Sequence, residues 1–415
     1  MSVSTAATWL AFDAAVPQRD VLLDADLMAD RIARLIRDDG RTAIDRCDRL
    51  RVNYQIGKSL RVLYRIDAAG ASWTIAARTF RDGRDACAYD EAGAAAIPCG
   101  DVRPVFHDAE LNTVFWVFPN DRKIAGLAAL GALCWTSHQL VAYAPEKSAT
   151  LACVDHSGAV VAYAKFFAGD EGLQHYTAYC ALSESADRSS HLRVPHAVVY
   201  VPQHRLLVVE AIAGRRMVDP TSGAGAARDV ARLGAALAAF HALEPPDPGP
   251  FTRFAADRLI EARRLVVCVR PDVGDLADAL VRDLSARQPD DRDEPVCLHG
   301  DVHPKNAIVT DRSVALIDVE DLAAGPAAAD LGSFLAALVY LRRGGRITND
   351  AYEEITRAFL NGYASVRPLP ARDTLRWHTA AALFVERVLR AVTRVRPLGL
   401  RHLPELLGDA RAVLA

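Results

Sequence analysis

Residues 297–334 read C-L-H-G-D-V-H-P-K-N-A-I-V-T-D-R-S-V-A-L-I-D-V-E-D-L-A-A-G-P-A-A-A-D-L-G-S-F. The apolar runs 307–309 and 314–317 flank the polar turn Thr310-Asp311-Arg312-Ser313, which predicts a short hairpin rich in β-branched residues. Polar residues stand at the ends of its strands: His299, Asp301, His303 and Asn306 before it, Asp318 and Glu320 after it. A hairpin brings its two ends together, so Asp301, Asn306 and Asp318 are expected to converge on one small volume. Two carboxylates and an amide oxygen in such a volume form a hard oxygen set that suits Mg²⁺ carrying phosphate oxygens. The spacing is informative as well. An Asp, an Asn five residues later and a second Asp beyond the next hairpin is the arrangement that phosphoryl transfer uses.

With 415 residues the chain is long enough for two or three folding units. It is 51% hydrophobic and 24% charged, which suits a globular chain with a large core. The net charge of −3 arises from dispersed acids and bases rather than a basic stripe, which argues against a nucleic-acid partner. Apolar runs are interrupted by charge before a membrane span is complete, and residues 1–13 lack a basic segment followed by an apolar one. The eight cysteines show no CxxC pair and no regular spacing, so buried reduced thiols are expected rather than disulfides or zinc ligands. A soluble cytoplasmic protein with no membrane partner is the resulting expectation.

Upstream of the hairpin, residues 22–48 have helical spacing at Leu27, Ile32, Leu35 and Ile36. Residues 51–80 read as two or three strands around Asp67-Ala68-Ala69-Gly70, 83–101 as loop, 105–117 as strand and 124–133 as a short helix. Further strands are expected over 141–167, a helix over 172–185, and a hairpin from 198–201 and 206–210. From residue 226 the spacing is helical: 226–243, stopped by Glu244-Pro245-Pro246, then 254–269, 275–287, 334–342, 350–364 and 375–395, with an acidic loop at 289–294. This order predicts an α+β chain in three parts. An additional N-terminal α/β cap module spans 1–135, a β-rich small lobe 136–215 and a helical lobe 216–415.

The first two parts echo each other. Tyr54 falls on Tyr143, Lys58-Ser59 on Lys147-Ser148, Ala77-Arg78 on Ala164-Lys165, and 111–118 on 205–211. Either residues 45–133 are a degenerate second copy of the small lobe, or two hairpins in an alanine-rich chain share turn chemistry by chance.

The segments H-G-D-V-H-P-K-N (299–306), I-D-V-E (317–320) and G-P-A-A-A-D-L (325–331) resemble the signature of the aminoglycoside phosphotransferase and choline kinase group of small-molecule kinases. L-G-A-A-L-A-A-F-H at 233–241 gives weaker support, and by order of elements the resemblance runs from Val141 to the C-terminus. A module in front of such a kinase resembles the maltokinase arrangement. The resemblance implies a bilobal protein-kinase-like fold that uses ATP and Mg²⁺. Asp301 would be the catalytic base, which an ionised carboxylate beside an attacking hydroxyl can be; the plainer alternative is a turn cap after Gly300. Asn306 and Asp318 would hold Mg²⁺. Glu320 either assists through a water or a second ion, or is a solvated loop carboxylate. Asp330 matches the aspartate that hydrogen-bonds the catalytic-loop backbone in this family.

His299 and His303 stand four apart, but no further ligand completes a zinc site. His299 is assigned to ordering the loop, His303 to the neighbourhood of the phosphates, and His241 to the core. Lys165 lies in an otherwise apolar strand, where a cation needs an anionic partner, and the α/β-phosphates would supply it; the alternative is a lysine snorkelling from an edge strand. Glu171 is favoured over Gln174 and Glu184 as its helix partner. Residues 209–212, with Glu210, Ala211 and Ile212, would form the hinge that binds adenine.

The chain departs from kinase patterns before Lys165. No GxGxxG precedes it; the turn reads Ala144-Pro145-Glu146-Lys147-Ser148, so Lys147 and Ser148 are the groups available to phosphate. The expected function is ATP- and Mg²⁺-dependent phosphorylation of a small-molecule hydroxyl acceptor, a sugar, amino sugar or aminoglycoside-type compound. Asp257, Glu261, Trp377, Glu386 and Arg387 are available for that acceptor, although a tryptophan on an amphipathic helix also suits the core. The alternatives are a pseudokinase-like nucleotide-binding regulatory module, or a choline/ethanolamine kinase. The last would need an aromatic cage that the C-terminal half does not advertise.

Overall fold

Asp24 opens the second helix among the described residues. Its carboxylate accepts the N–H groups of Asp26 and Leu27, capping α2 (Ala25–Leu35) directly after the short α1 (Arg19–Leu23). The computed structural model describes residues 9–37, 42–81, 83–132, 135–217, 224–244, 249–290 and 294–415. Expectations at 1–8, Leu133, Cys134, Pro245-Pro246 and 291–293 lie outside these residues.

The cap sheet follows. Its strands are β1 (Arg46–Gln55), β2 (Ser59–Ala68) and β3 (Ala71–Thr79), then α3 (Arg84–Ala94), β4 (Val105–Asp108) and β5 (Thr113–Val117), ordered β1-β2-β3-β5-β4. The loop expected at 83–101 is thus largely a helix. Its alanines gave no apolar periodicity, but Ala88, Tyr89 and Ala92 pack on Val105, Val114 and Trp116. Alternation along β2 divides the sheet: Leu60, Val62, Tyr64 and Ile66 join the core shared with α1 and α2, and Leu63 points to the opposite face.

The small lobe has β6 (Ser137–Ala144), β7 (Ser148–Val154), β8 (Val160–Phe167), α4 (Gly172–Ala186), β9 (Leu192–Arg193), β10 (Ala197–Val201) and β11 (Leu206–Glu210). Its sheet is ordered β10-β11-β8-β7-β6, which is the cap order read in reverse. The registers coincide as well. Arg78 pairs with Arg61 and Val114 in the cap, and Lys165 pairs with Thr150 and Leu207 at the same steps of the small lobe. The first turns also agree: Lys58 N–H reaches Gln55 O at 2.9 Å, and Lys147 N–H reaches Ala144 O at 2.9 Å. Gly57 takes the left-handed position at φ +70° in the cap, and Glu146 takes it at φ +61° in the small lobe.

A 3₁₀ segment, Ala125–Ala132, joins the two sheets. Ile124, Leu127 and Leu130 fill one core with Leu63 and Ala76 of the cap and Leu151, Phe166 and Val208 of the small lobe. Glu146 is nearly buried beneath this junction, paired with Arg78 and 3.5 Å from Arg61 and 3.6 Å from Arg122, and its N–H donates to Asp121 at 2.9 Å. The glycine-free turn over the cleft is therefore held from the cap.

The helical lobe opens with β12 (Arg215–Arg216), α5 (Ala224–Phe240), α6 (Ala256–Val269) and α7 (Gly274–Ala286). The small strands β13 (Val296–Leu298), β14 (Ala307–Val309), β15 (Val314–Leu316) and β16 (Ala323–Gly325) carry the hairpin. Then come α8 (Ala328–Arg343), α9 (Asn349–Ala364), α10 (Arg372–Ala382), a π-helical turn Leu383–Val388, α11 (Leu389–Thr393), α12 (Pro397–Arg401) and α13 (Leu403–Leu414). The helices α5 and α9 meet backbone to backbone, since a Cβ on Gly362 would lie 1.9 Å from Ala231 O. Val266, Leu280, Phe384 and Leu407 share a core with Leu22, Tyr54 and Phe115, so the cap packs on this lobe too. Mixed sheets and helices thus form two lobes that line one cleft, with an N-terminal cap touching both lobes. Among the described residues no helix is long and apolar enough to cross a membrane. The described cysteines form no disulfide; among them only Cys153 and Cys297 are buried, and Cys87 and Cys268 are exposed, against the expectation of mostly buried thiols.

Candidate active site

The hairpin forms as its sequence predicts, with Ala307 paired to Leu316 and Val309 to Val314. Its turn is closed by Thr310, whose hydroxyl donates to Ser313 O at 2.9 Å and accepts the Ser313 N–H at 3.0 Å. The ends then meet: Ile317 N–H donates to Asn306 O at 3.0 Å, and the Asn306 amide donates to Asp301 O at 3.1 Å and toward Asp301 Oδ2 at 3.4 Å.

The loop 299–306 is held from behind. Asp330, at the start of α8 and buried, accepts the N–H groups of His299 at 2.7 Å and Gly300 at 3.0 Å. His241 Nε2 lies 3.1 Å from the same carboxylate, and its Nδ1 lies 2.9 Å from the Tyr363 hydroxyl. Burial pushes the Asp330 carboxyl up, but the hydrogen bond and charge of His241, with His299, outweigh it and hold the group below the usual carboxylate range. His241 is thus a core histidine with a structural task. His299 Nδ1 accepts the Asp301 N–H at 3.3 Å, so its Nε2 carries the proton and donates to Ile317 O at 3.0 Å. Arg253 adds a third tether by donating to Gly300 O and, at 2.7 Å, to the buried Glu386 of the π-helical turn.

Gly300 sits at φ +79°, and a Cβ there would lie 2.1 Å from Asp321 O. Gly300→Ala is expected to cost at least about 1–2 kcal/mol from the left-handed backbone alone, with further loss from the clash. The checks are a thermal melt and an activity assay, and an alanine variant as stable as wild type would contradict the loop geometry.

The site opens into a cavity of about 970 Å³ between the lobes. Its small-lobe wall includes Lys147, Ser148, Lys165, Glu210 and Ile212; its other wall includes Asp301, Asn306, Asp318 and Glu320. Ala211 and His303 do not line it. The Ala211 N–H is engaged by Val161 O at 3.3 Å, and His303 Nε2 faces Asp301 Oδ2 at 3.4 Å. The Glu210 N–H is bonded to His196 O at 3.0 Å and its carboxylate to Arg193 at 2.8 Å, so of the expected hinge Val209, Glu210 and Ile212 line the cavity and Ala211 does not.

Lys165 Nζ pairs with Asp318 at 3.1 Å and with Glu320. Burial opposes its charge, yet Glu320 and Asp318 together raise its pKa above the ordinary lysine value. Glu171, the expected helix partner, is not among its ion pairs. The helix residue that feels Lys165 is His175, driven down first by burial and then by that charge. Burial raises the Glu320 carboxyl despite Lys165, so Glu320 is a recessed group rather than a solvated loop carboxylate. Asp318 stands at φ +64°, a conformation costing a non-glycine residue about 1–3 kcal/mol and often found at functional sites. The donor set suits Mg²⁺. Asp318 and Glu320 already crowd a cation, and the Asn306 amide nitrogen is committed to Asp301, which leaves its oxygen for a metal. Among the described residues no cluster of three His, Cys, Asp or Glu forms an alternative metal site.

Burial pushes the Asp301 carboxyl up, but His303, then Arg390 and His299, more than reverse it and hold the group well below the usual carboxylate range. Arg390 was not foreseen. It belongs to a group with Arg49, Arg51, Arg394 and Arg396 on the cavity wall. One sequence signal marks part of the group: from Arg387 to Arg401 the chain has five arginines and no acid. The acceptor candidates named from sequence are elsewhere. Trp377 is buried and donates to Leu284 O at 2.8 Å, Glu261 pairs with Arg264 at 2.7 Å, Arg387 donates to Ser333 O at 3.2 Å, and Asp257 does not line the cavity.

Comparison with known proteins follows the same stretch. None of the curated proteins matches the chain. Among solved structures it is similar to a macrolide 2′-phosphotransferase from Brachybacterium faecium, at 19% identity over 69% of this chain and 96% of that one, with a TM-score of 0.41. It is also similar to a choline/ethanolamine kinase family protein from Mesorhizobium loti, at 18% identity over 69% and 92% with a TM-score of 0.45. An amicoumacin kinase gives 15% over 69% and 91%, with a TM-score of 0.48. Residues 180–369 match the family model described as the phosphotransferase enzyme family. The matched residues include the loop at Asp301 and the hairpin that follows it.

Proposed function

We propose that the protein transfers the γ-phosphoryl group of ATP, with Mg²⁺, to a hydroxyl group of a small molecule, a sugar, amino sugar or aminoglycoside-type compound being the acceptor class carried from the sequence. The observation that carries this reading is the meeting of Asp301, Asn306, Asp318 and Glu320 opposite Lys165 on one cavity wall-to-wall. Asn306, Asp318 and Glu320 would hold Mg²⁺, which supplies charge neutralisation to the phosphate oxygens. Lys165 offers a fixed cation to the same oxygens, and Lys147 and Ser148 cover them. Asp301 orients the acceptor hydroxyl and receives its proton. A carboxylate this acidic is a weak base, but it is ionised throughout the physiological range. Phosphoryl transfer through a loose transition state asks mainly for positioning, and for proton removal late. The test is a coupled ADP-release screen with Mg²⁺-ATP over sugars, sugar acids, amino sugars and aminoglycosides. Saturable, acceptor-dependent turnover is expected; tight ATP binding without transfer to any of them would favour a regulatory nucleotide-binding module.

We also read residues 45–133 as a degenerate second copy of the small lobe, supported by the strand order shared over residues 46–117 and the shared register at Arg78 and Lys165. Arg78 is turned to Glu146 rather than to metal-binding carboxylates, so the cap is expected to hold no nucleotide. Titration with a non-hydrolysable ATP analogue should saturate at one equivalent per chain. Lys165→Ala should weaken that one site at least about tenfold, the scale of losing one charge-assisted contact. Two equivalents, or an unchanged affinity in the variant, would refute these assignments.

A further inference from the structure

Beside Asp301, and lining the same cavity as Lys147 and Lys165, arginines from two distant parts of the chain come together. Arg49 and Arg51 stand on edge strand β1 of the cap, Arg390 and Arg394 lie one turn apart along α11 and its end, and Arg396 follows. The two parts are docked, with Arg394 Nη1 donating toward Val52 O at 3.4 Å. Among the described residues none of these five arginines has a carboxylate within ion-pair distance. Elsewhere in the cavity Lys165 is answered by Asp318 and Glu320, and Glu210 by Arg193, while Lys147 and Arg216 stand singly without an ion pair among the described residues.

Charges of one sign gathered in a recess repel one another and attract a counter-charge. The repulsion is felt here: burial first, then Arg51, Arg390 and Arg396, push the Arg394 guanidinium down to about 10, still charged at neutral pH. Asp301, the carboxylate that feels Arg390, also faces His303 and is needed for the acceptor hydroxyl. The nucleotide phosphates belong with Lys147 and Lys165 on the other wall. The unanswered positive charge therefore faces what Asp301 faces. We propose that the acceptor is an anionic hydroxyl compound, whose phosphate or carboxylate group is bound by Arg51, Arg390, Arg394 and Arg396. This rests on the phosphotransferase reading above and narrows it. Guanidinium forks match both oxyanions bidentately, whereas a polyamine such as an aminoglycoside, or a quaternary ammonium, would be repelled. It also gives the cap a task, since half of the acceptor wall is its edge strand.

Calorimetric titration with the nucleotide site filled by Mg²⁺ and a non-hydrolysable ATP analogue tests this without turnover. Matched probes are glucose, glucosamine, gluconate and glucose 6-phosphate, with glycerol, glycerate and glycerol 3-phosphate as a shorter set. At least one anionic probe is expected to bind tenfold or more tightly than its neutral parent, and the carboxylate and phosphate arms decide which anion is meant. Arg51→Ala with Arg394→Ala should weaken that anion at least tenfold while the analogue's affinity changes less than twofold. Arg396→Ala, at an exposed position, should weaken it in the same direction even if the double variant folds poorly. Neutral or amine-bearing probes binding as well as the anions would overturn the inference, as would anion affinity indifferent to these substitutions. An equal loss of analogue affinity would assign the arginines to the nucleotide and overturn it too. Anion binding without any phosphoryl transfer in the screen would instead count against the phosphotransferase reading alone.

Discussion

Asp301→Asn is expected to lower kcat by about 10²–10⁴-fold, the range a positioned general base contributes, while the melting temperature and the affinity for an ATP analogue stay close to wild type. The substitution is nearly isosteric, and the main-chain bonds that hold the loop do not use the Asp301 charge. The Asn306 bond to the Asp301 backbone carbonyl survives, as does the Asp301 N–H bond to His299. What is lost is a charge facing His303 and Arg390 and an acceptor for the substrate proton. The change should therefore appear in kcat far more than in the KM for ATP. Loss below tenfold would remove Asp301 from the reaction; loss accompanied by a lower melting temperature would make it a structural residue. The depressed carboxyl adds a second expectation: the acid limb of the kcat profile should not report Asp301 near pH 4, because this group remains ionised below that pH.

The largest stability effect is expected at Asp330. Its carboxylate is buried and receives two backbone N–H groups and His241, so Asp330→Ala leaves His299 N–H, Gly300 N–H and a buried histidine without their acceptor. Breaking a buried charged network from one side costs about 3–5 kcal/mol, and a unit of about 200 residues, the size of the helical lobe, loses about 2–4 °C in Tm per kcal/mol. The acid side of the stability profile should change as well. The folded protein holds Asp330 below its unfolded pKa, so its stabilising contribution is complete above that unfolded value, about 4. It is lost as pH falls through the depressed folded value. The alanine variant should therefore show a shallower loss of stability below pH 4 than wild type. A melt within a degree of wild type would contradict the role given to Asp330.

The stretch from Asp301 to Asp318 was legible because its proposed chemistry is local. Asp301, Asn306 and Asp318 are brought together by one hairpin, whose turn and β-branched strands are written in eleven consecutive residues. Asp330 was legible only through resemblance, since no spacing discloses that its carboxylate folds back 30 residues onto Gly300. The partner of Lys165 was misplaced for the opposite reason: Glu171 is near in sequence, but Asp318, 153 residues away, is near in space. Helix α3 was hidden by alanine, which favours helix yet gives no apolar stripe to read. The arginine wall was the least legible feature. Arg51 and Arg394 meet only because the cap docks its edge strand on α11, and neither segment alone suggests a partner. That docking moves the cap from an appendage to a part of the proposed acceptor site.

The most direct test is ³¹P NMR of the purified protein with ATP, Mg²⁺ and the hydroxylated compound that best supports ADP release. A new phosphomonoester resonance should grow at the expense of the ATP γ-phosphate, vanish when EDTA removes the metal, and fall at least a hundredfold in rate with Asp301→Asn. Free phosphate as the sole product, or an ester formed equally well by the Asp301→Asn protein, would contradict the account.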